Sequence, residues 1–202
     1  MRVRIRIPTN GHPDRALTNW LIWVAGFPAP GIASVQVHYC PFGPDRARNE
    51  LVDDFLFNSG DTHLWMIDDD VVPPQNLELL HKVLDQEAPL ASGLYFGFKK
   101  DVGTFPHAYH FGKGGGGIPL TPEELSTGIQ FVDAVGAGCL VMARELFRHQ
   151  KCGWFTVFPK EMPDNLSRQQ GYIGEDLAFC RIRGPVLLVP SYRCQHIKDM
   201  SL

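Results

Sequence analysis

The chain has 202 residues, with 19 lysines and arginines against 22 aspartates and glutamates and a formal net charge of −3. A hydrophobic fraction of 44% beside 20% charged residues is typical of a globular protein and excludes an intrinsically disordered chain. The near-neutral charge gives no general electrostatic reason to expect nucleic acid or an anionic membrane as the main partner.

No segment reaches the ~20 apolar residues that a membrane span needs, and the first residues lack the apolar segment of a secretory signal. The five cysteines are widely spaced and contain no CxxC pair. This usage indicates reduced thiols in a cytosolic enzyme rather than a disulfide scaffold, so we expect a cytoplasmic location.

Strand and helix patterns alternate in the first half of the sequence. The predicted strands are 2–8, 34–40, 62–68 and 90–96, and the predicted helices are 13–26, 45–59 and a third that opens at Pro73-Pro74 and buries Leu84. This alternation predicts an α/β fold with a mostly parallel central sheet flanked by helices. The arginines at every second position of the first strand predict that this strand is partly exposed on one side.

The second half is less regular. Residues 97–128 include the glycine run 114–117, and we expect a flexible loop there. A strand-like stretch, 131–143, precedes a short helix to about Gln150. A helix at 174–183, a strand at 186–190 and a tail from Ser191 complete the pattern. No internal repeat is apparent, so we expect one domain over residues 1–202.

Three adjacent carboxylates, Asp68, Asp69 and Asp70, follow an apolar strand. Such carboxylates repel one another, and in open α/β sheets ligands collect at the carboxyl ends of strands. Oxygen ligands at that edge suit Mg²⁺ or Mn²⁺ holding a phosphate. The alternative is a solvated turn whose aspartates cap the following helix.

Two more features carry chemistry. Glu175 and Asp176 begin a predicted helix, where capping and the helix dipole would also explain them. His196 follows the last strand, where the alternative to a metal ligand is an ordinary surface or core histidine.

Together these features resemble a nucleotide-sugar-dependent glycosyltransferase of the A-type fold (GT-A), similar to family two. The resemblance runs from residue 2 to about 199 and rests on segments in family order: IPTNG, RARNELV, LWMIDDDVVPP, LASGLYF, VDAVGAGCLVMAREL, GEDLAFCRIRG and CQHIKD. It implies a single Rossmann-like GT-A domain, with a nucleotide-binding half at 1–96 and an acceptor and metal half at 97–202.

The resemblance implies donor-binding residues in both halves. Pro8 and Thr9 match the family's nucleotide-contacting edge. Arg46, Arg48 and Asn49 match a helix start that faces the base and diphosphate, where guanidinium groups grip phosphate oxygens. For Arg46 the alternative is a solvated helix face.

Two glycines match the family positions at which the backbone approaches the donor sugar. They are Gly136 and Gly138, and the alternative for both is tight strand packing.

The acidic triplet matches the family's DxD motif. Asp68 and Asp70 match its outer members, the first near the ribose and the last on the metal, while Asp69 is an alternative ligand because the triplet leaves the register open. His196 matches the late metal ligand, and an imidazole beside carboxylates favours Mn²⁺ over Mg²⁺. The resemblance thus implies a metal held by Asp70, Asp68 and His196, with Asp68 and Asp69 also at the donor.

Asp176 matches the carboxylate that takes the proton from the acceptor hydroxyl in inverting members. A helix N-terminus is expected to keep it ionised, as a general base requires. Glu175 is expected to orient its neighbours. The motif decides neither an inverting nor a retaining outcome.

The resemblance implies a metal-dependent, hexosyltransferase-like glycosyltransferase that uses a nucleoside-diphosphate sugar, with a UDP-sugar favoured and a GDP-sugar as the alternative. We expect no appended acceptor domain and no membrane anchor. The compact size is similar to that of small viral and phage glycosyltransferases, some of which modify DNA, and a viral chain would act in the host cytoplasm. The acceptor is then a glycan, a small molecule or a modified DNA base, and nucleic acid is expected only in that role. The sequence leaves the oligomeric state open.

Two other interpretations remain. A nucleotidyltransferase of related fold is one, although IPTNGHPDR is a poor version of its glycine-rich signature. A non-catalytic nucleotide- or sugar-binding module is the other. The retention of DDD, ED and the late histidine counts against it.

Overall fold

Strands and helices alternate through the first half of the chain, and shorter strands follow in the second. The computed structural model describes residues 1–26, 31–113, 116–148, 153–156 and 174–197. The strands are β1 (Val3–Thr9), β2 (Ile32–Tyr39), β3 (His63–Ile67), β4 (Val71–Val72), β5 (Leu90–Leu94), β6 (Phe96–Lys99), β7 (Gly103–Pro106), β8 (Ala108–Phe111), β9 (Gly117–Pro119), β10 (Gln130–Val132), β11 (Ala134–Val135), β12 (Cys139–Ala143), β13 (Val186–Arg193) and β14 (Gln195–His196). The helices are α1 (Arg15–Gly26), α2 (Pro44–Phe57), α3 (Glu78–Asp85), α4 (Pro122–Leu125) and α5 (Glu175–Arg183), and a 3₁₀ turn covers Arg144–Phe147.

The central sheet has seven strands in the order β10-β13-β5-β12-β3-β1-β2. Strands β13, β5, β3, β1 and β2 run parallel, and β12 and β10 run antiparallel to their neighbours. Helices α1 and α3 pack on one face, and α2 and α5 pack on the other. The predicted α/β fold, with a mostly parallel sheet flanked by helices, is confirmed.

The parallel strands of this sheet bring the acidic triplet to a shared edge. Strand β3 is buried on both faces, which explains its uninterrupted apolar sequence. It lies beside β1 in parallel register, so Thr9 at the end of β1 and Asp68 after β3 reach the same edge. Tyr95, directly after β5, lies at the carboxyl end of a third parallel strand.

The predicted exposure of the first strand is wrong for Arg6, which is only 4% exposed. Arg4 Nη1 lies 3.0 Å from Asp54 Oδ2 and its Nε lies 2.9 Å from Asp61 Oδ2, while Arg6 Nη2 lies 3.4 Å from Asp54. The carboxylates of α2 and of the turn before β3 therefore neutralise arginines on a covered face. Burial nevertheless lowers the pKa of Arg6.

The prediction of a flexible loop at 97–128 is wrong. The described part of this segment contains most of β6, then β7, β8, β9 and α4. Strands β6 and β7 form one small antiparallel sheet, and β8 and β9 form another together with β11, which follows the segment. Helix α4 begins at a capping box in which Thr121 and Glu124 hydrogen-bond to each other's backbone N–H groups. Of the glycine run, residues 114–115 lie outside the described residues.

Several predicted boundaries also differ from the structure. Helix α3 begins at Glu78 rather than at the proline pair, and Leu84 is 49% exposed rather than buried. The single strand predicted at 131–143 is divided into β10, β11 and β12. The predicted tail instead completes β13 and forms β14, and the predicted helix end at Gln150 lies outside the described residues.

Four of the five cysteines, Cys40, Cys139, Cys180 and Cys194, are buried free thiols, and Cys152 lies outside the described residues. Within the described ranges, no helix has the length and apolar character needed to cross a membrane.

Candidate functional site

A pocket of about 200 Å³ opens at the carboxyl ends of β1, β2 and β3. It brings together Pro8, Thr9, Arg48 and all three members of the acidic triplet from the predicted site. The other lining residues are Asn10, Cys40, Phe42, Pro44 and Ala47. Sequence segments that are far apart in the chain therefore meet at one edge of the sheet, where ligands of open α/β sheets bind.

Arg48 joins three elements at the base of this pocket. Its Nη2 donates to both carboxylate oxygens of Asp68, at 2.8 and 2.9 Å, and its Nη1 donates to Glu175. Burial works to lower the pKa of Arg48, but the charges of Asp68, Glu175 and Asp176 outweigh it and raise the pKa. The guanidinium therefore stays charged and ties α2 to the end of β3 and the start of α5.

Asp69 is bound to the connection between β1 and α1. Thr9 Oγ1 donates to Asp69 Oδ2 at 2.7 Å, and the Asp14 backbone N–H donates to the Asp69 carbonyl at 3.1 Å. The Gly11 N–H donates in turn to Thr9 Oγ1 at 3.1 Å. These bonds fix the backbone of the triplet against the end of β1.

Asp70 and His196 are brought together by a two-stranded antiparallel sheet. In it His196 of β14 lies opposite Val71 of β4, and the Ile197 N–H donates to the Asp70 carbonyl at 2.9 Å. His196 Nε2 lies 3.4 Å from Asp70 Oδ2, and His196 Nδ1 lies 3.2 Å from the Phe96 carbonyl oxygen. A carbonyl oxygen can only accept, so Nδ1 carries a proton, and Nε2 is the nitrogen that faces Asp70.

This geometry tests whether the residues fit a divalent cation. Within the described ranges, no group of three or more histidine, cysteine, aspartate or glutamate side chains could hold a metal ion. Asp70 and His196 form a pair, and His196 has the carbonyl partner on its second nitrogen that is typical of metal-binding histidines. A cation that shares its ligands with a bound diphosphate needs only one or two protein side chains. The pair fits such a shared cation, whereas Asp68, predicted as a third ligand, pairs with Arg48 instead.

Asp176 lies in the first turn of α5, and its Oδ1 accepts the Leu177 N–H at 2.7 Å. Burial raises the pKa of Asp176, and the charge of Glu175 raises it further. The helix N-terminus was expected to favour the charged form of this carboxyl, whereas desolvation and the charge of Glu175 act in the opposite direction and raise its pKa. A raised pKa makes the carboxylate a stronger base.

Two residues predicted at the nucleotide lie outside the lining of the pocket. Arg46 is exposed, its Nε lies 3.0 Å from Glu50 Oε1, and its guanidinium lies 3.6 Å from the centre of the Phe42 ring. Asn49 Nδ2 donates to the Phe155 carbonyl at 2.7 Å, and Asn49 Oδ1 accepts the Phe155 N–H at 2.9 Å. Asn49 thus stabilises the segment at 153–156. Arg46 lies on a solvated helix face, which was the alternative interpretation for this residue.

Gly136 and Gly138 pack against a tyrosine that sequence reasoning missed. Tyr95 Oη accepts the Gly138 N–H at 3.0 Å. A Cβ atom at Gly136 would overlap Tyr95 Oη, and one at Gly138 would lie 2.8 Å from Tyr95 Cζ. The structure therefore supports tight packing as the reason for both glycines. Their predicted contact with a donor sugar stays a prediction.

His107 and Tyr109 were missed as well. The His107 ring stacks on Tyr95 at 4.6 Å between ring centres, and its Nδ1 lies 3.2 Å from Tyr109 Oη. Both residues belong to the segment expected to be a loop, where no periodicity could place them. The segment LASGLYF gave a signal only for Tyr95, at the end of a predicted strand.

No protein-family model matches the chain, and no curated protein sequence matches it. Among solved structures, A197 from STIV aligns over 98% of this chain and 86% of its own, with 18% identity and a TM-score of 0.64. S. aureus TarS 1–349 in complex with UDP-GlcNAc aligns over 100% of this chain and 62% of its own, with 11% identity and a TM-score of 0.50. At these identities the likenesses show the fold alone. The chain is an α/β protein with a Rossmann-like arrangement of sheet and helices.

Proposed function

We propose that this chain is a glycosyltransferase that moves a sugar from a nucleoside-diphosphate donor to a hydroxyl acceptor. The observation that carries the proposal is the placement of the Asp70–His196 pair at the edge of the pocket that Arg48 and Asp68 line. The motif order of the sequence and the likeness in fold to a protein that binds UDP-GlcNAc support it. A UDP-sugar is the favoured donor, with a GDP-sugar as the alternative.

The proposal includes a divalent cation, Mn²⁺ or Mg²⁺. Asp70 and His196 are the residues that would hold it, and the donor diphosphate would supply further oxygen ligands. When bound, the ion would neutralise the charge that builds on the departing diphosphate. Asp68 remains beside Arg48, where it is available to the ribose, as the motif predicts.

Asp176 is the proposed general base. It would take the proton from the acceptor hydroxyl while that oxygen forms its bond to the anomeric carbon and the bond from that carbon to the diphosphate breaks. Its raised pKa suits this role, because a stronger base accepts the proton more readily. Glu175 would remain paired with Arg48, which holds the start of α5 in place.

We further propose that residues 1–202 act as one GT-A domain. The nucleotide would bind to the half at 1–96, and the acceptor would bind to the half at 97–202. The metal pair joins the two, since Asp70 comes from the first half and His196 from the second. The acceptor is a glycan, a small molecule or a modified DNA base.

Calorimetric titration tests this function directly. UDP, GDP, ADP, dTDP and CMP are each titrated with Mn²⁺ and again with a chelator. We expect one nucleoside diphosphate to bind, and the binding to vanish with the chelator. Asp70→Asn should remove the binding, whereas Asp85→Asn, at an exposed carboxylate on α3, should leave it unchanged.

The outcomes separate the competing functions. Release of the diphosphate from its sugar conjugate, on addition of an acceptor, would complete the support for transfer. Binding of nucleoside triphosphates in preference to diphosphates would favour a nucleotidyltransferase. A folded protein that binds none of these nucleotides would refute the proposal.

A further inference from the structure

His107, directly before β8, is held from several directions. Its backbone N–H donates to the Tyr95 carbonyl at 3.0 Å, and its own carbonyl accepts the Gly136 N–H at 3.0 Å. Its ring stacks on Tyr95 with an angle of 17° between the planes. His107 is only half buried. Its ring is therefore fixed in place, while part of the residue remains accessible.

Tyr109 extends this arrangement along β8. Its Oη lies 3.2 Å from His107 Nδ1, and Tyr109 is also half buried. Burial is the main cause and the charge of Asp176 the second cause that raise the pKa of Tyr109 to about 12. The phenol therefore remains protonated at neutral pH and can donate a hydrogen bond.

The two side chains lie near elements that carry the proposed reacting groups. On one side, the His107 ring meets the His196 ring edge-to-face, with 6.0 Å between ring centres. On the other, Tyr109 lies opposite Ala134 of β11, the strand on which α5 packs with Asp176 in its first turn. The pair thus lies beside one proposed metal ligand and near the helix that carries the proposed general base.

We infer that His107 and Tyr109 contact the transferred sugar and determine which sugar the enzyme accepts. The inference rests on the proposed function: with the diphosphate at Asp70 and His196 and the acceptor hydroxyl at Asp176, the anomeric carbon must lie between them. An imidazole nitrogen and a phenol hydroxyl bind sugar hydroxyls, and aromatic rings pack against the C–H face of a pyranose.

The charges around this position indicate the class of sugar. The carboxylate of Asp176 borders it, that of Asp70 would be neutralised by the proposed divalent cation, and the neighbouring Arg48 is paired with Asp68 and Glu175. A sugar with its own carboxylate would face the like charge of Asp176 there. The sugar subsite therefore suits a neutral hexose rather than a uronic acid.

The test compares free nucleotide with nucleotide-sugar. Once the preferred nucleoside diphosphate is known, its affinity and those of its hexose and uronic acid conjugates are measured for wild type, Tyr109→Phe and His107→Asn. The control is His110→Gln, on the same strand but the opposite face, where the histidine pairs with Glu124 and Asp133. We expect wild type to prefer a neutral hexose conjugate over the uronic acid.

Both variants should weaken binding of the preferred hexose conjugate about three- to tenfold. They should also reduce the difference in affinity between this conjugate and the other hexose conjugates. Affinity for the free diphosphate should stay within about twofold in all proteins, and the control should match wild type. Unchanged sugar affinity and preference, or an equal loss of affinity for the free diphosphate, would overturn the inference. A uronic acid preference would overturn the assignment of a neutral sugar. If His107→Asn fails to fold, Tyr109→Phe decides. If wild type binds no nucleotide at all, the proposed function fails instead.

Discussion

Replacing Arg48 by methionine removes the cation that joins α2, β3 and α5. Its side chain is 6% exposed, and those of its partners Glu175 and Asp68 are 16% and 28% exposed. Loss of one partner of a fully buried ion pair costs about 3–5 kcal/mol, because the remaining charge is stranded. Water can reach part of Asp68, so we expect Arg48→Met to lower the free energy of unfolding by about 3 kcal/mol.

Urea denaturation and thermal melting measure this loss. For a chain of this size, 3 kcal/mol corresponds to a fall in Tm of roughly 6–12 °C. The matched control is Arg46→Met, two residues earlier on the same helix, where the exposed side chain pairs with Glu50. Together with the contact between Arg46 and the Phe42 ring, this exposed pair contributes no more than about 1 kcal/mol.

A double variant separates stranded charge from lost packing. Adding Glu175→Gln to Arg48→Met neutralises one of the two stranded carboxylates, so part of the lost stability should return. Equal effects of Arg48→Met and Arg46→Met would refute the reasoning, since they would show that the carboxylates keep their hydration without Arg48.

Asp176→Asn should raise the free energy of unfolding at pH 7 by roughly 1 kcal/mol, a usual gain when a group under electrostatic strain is neutralised. Because the folded-state pKa of Asp176 is raised, the folded protein binds this proton more tightly than the unfolded chain does, and wild type gains stability relative to Asp176→Asn as the pH falls through the raised pKa. The difference should vanish below the ordinary aspartate pKa of 3.8, and urea denaturation at pH 7 and pH 3.5 checks this sign; a gain that persists at pH 3.5 would contradict it. Gly136→Ala should cost about 1–3 kcal/mol because its Cβ overlaps Tyr95 Oη, whereas Gly60→Ala enters open space and should change stability by less than about 0.5 kcal/mol. Equal melting temperatures for the two glycine variants would contradict the packing argument.

The strongly patterned elements could be predicted from the sequence. Strand β3 has a continuous apolar run because both its faces are buried, and α2 has a proline at its start and apolar residues at helical spacing. Strands β6 to β9 were missed because they have only three or four residues each. Their pairing depends on distant partners, such as Ala134 opposite Tyr109, and leaves little local pattern.

The site shows the same division. The acidic triplet and the late histidine were predicted from motif order, and the structure places Asp70 beside His196. The contact between Arg48 and Glu175 joins residues 127 positions apart, and no local sequence pattern predicts it. Arg46 and Asn49 share the motif with Arg48, but they point in other directions because neighbouring helix positions are rotated by about 100°.

The small sheet formed by β4 and β14 has a consequence for the order of folding. Its two strands are distant in sequence and have two residues each, so closing this ladder on its own would cost chain entropy and gain few hydrogen bonds, whereas the large sheet holds the two strands near each other through β3 and β13. The large sheet can therefore assemble before the ladder closes. Molecules caught at that stage would have nearly native secondary structure and yet lack the contact between Asp70 and His196. A ligand that contacts Asp70 and His196 together would favour the molecules in which this ladder is closed.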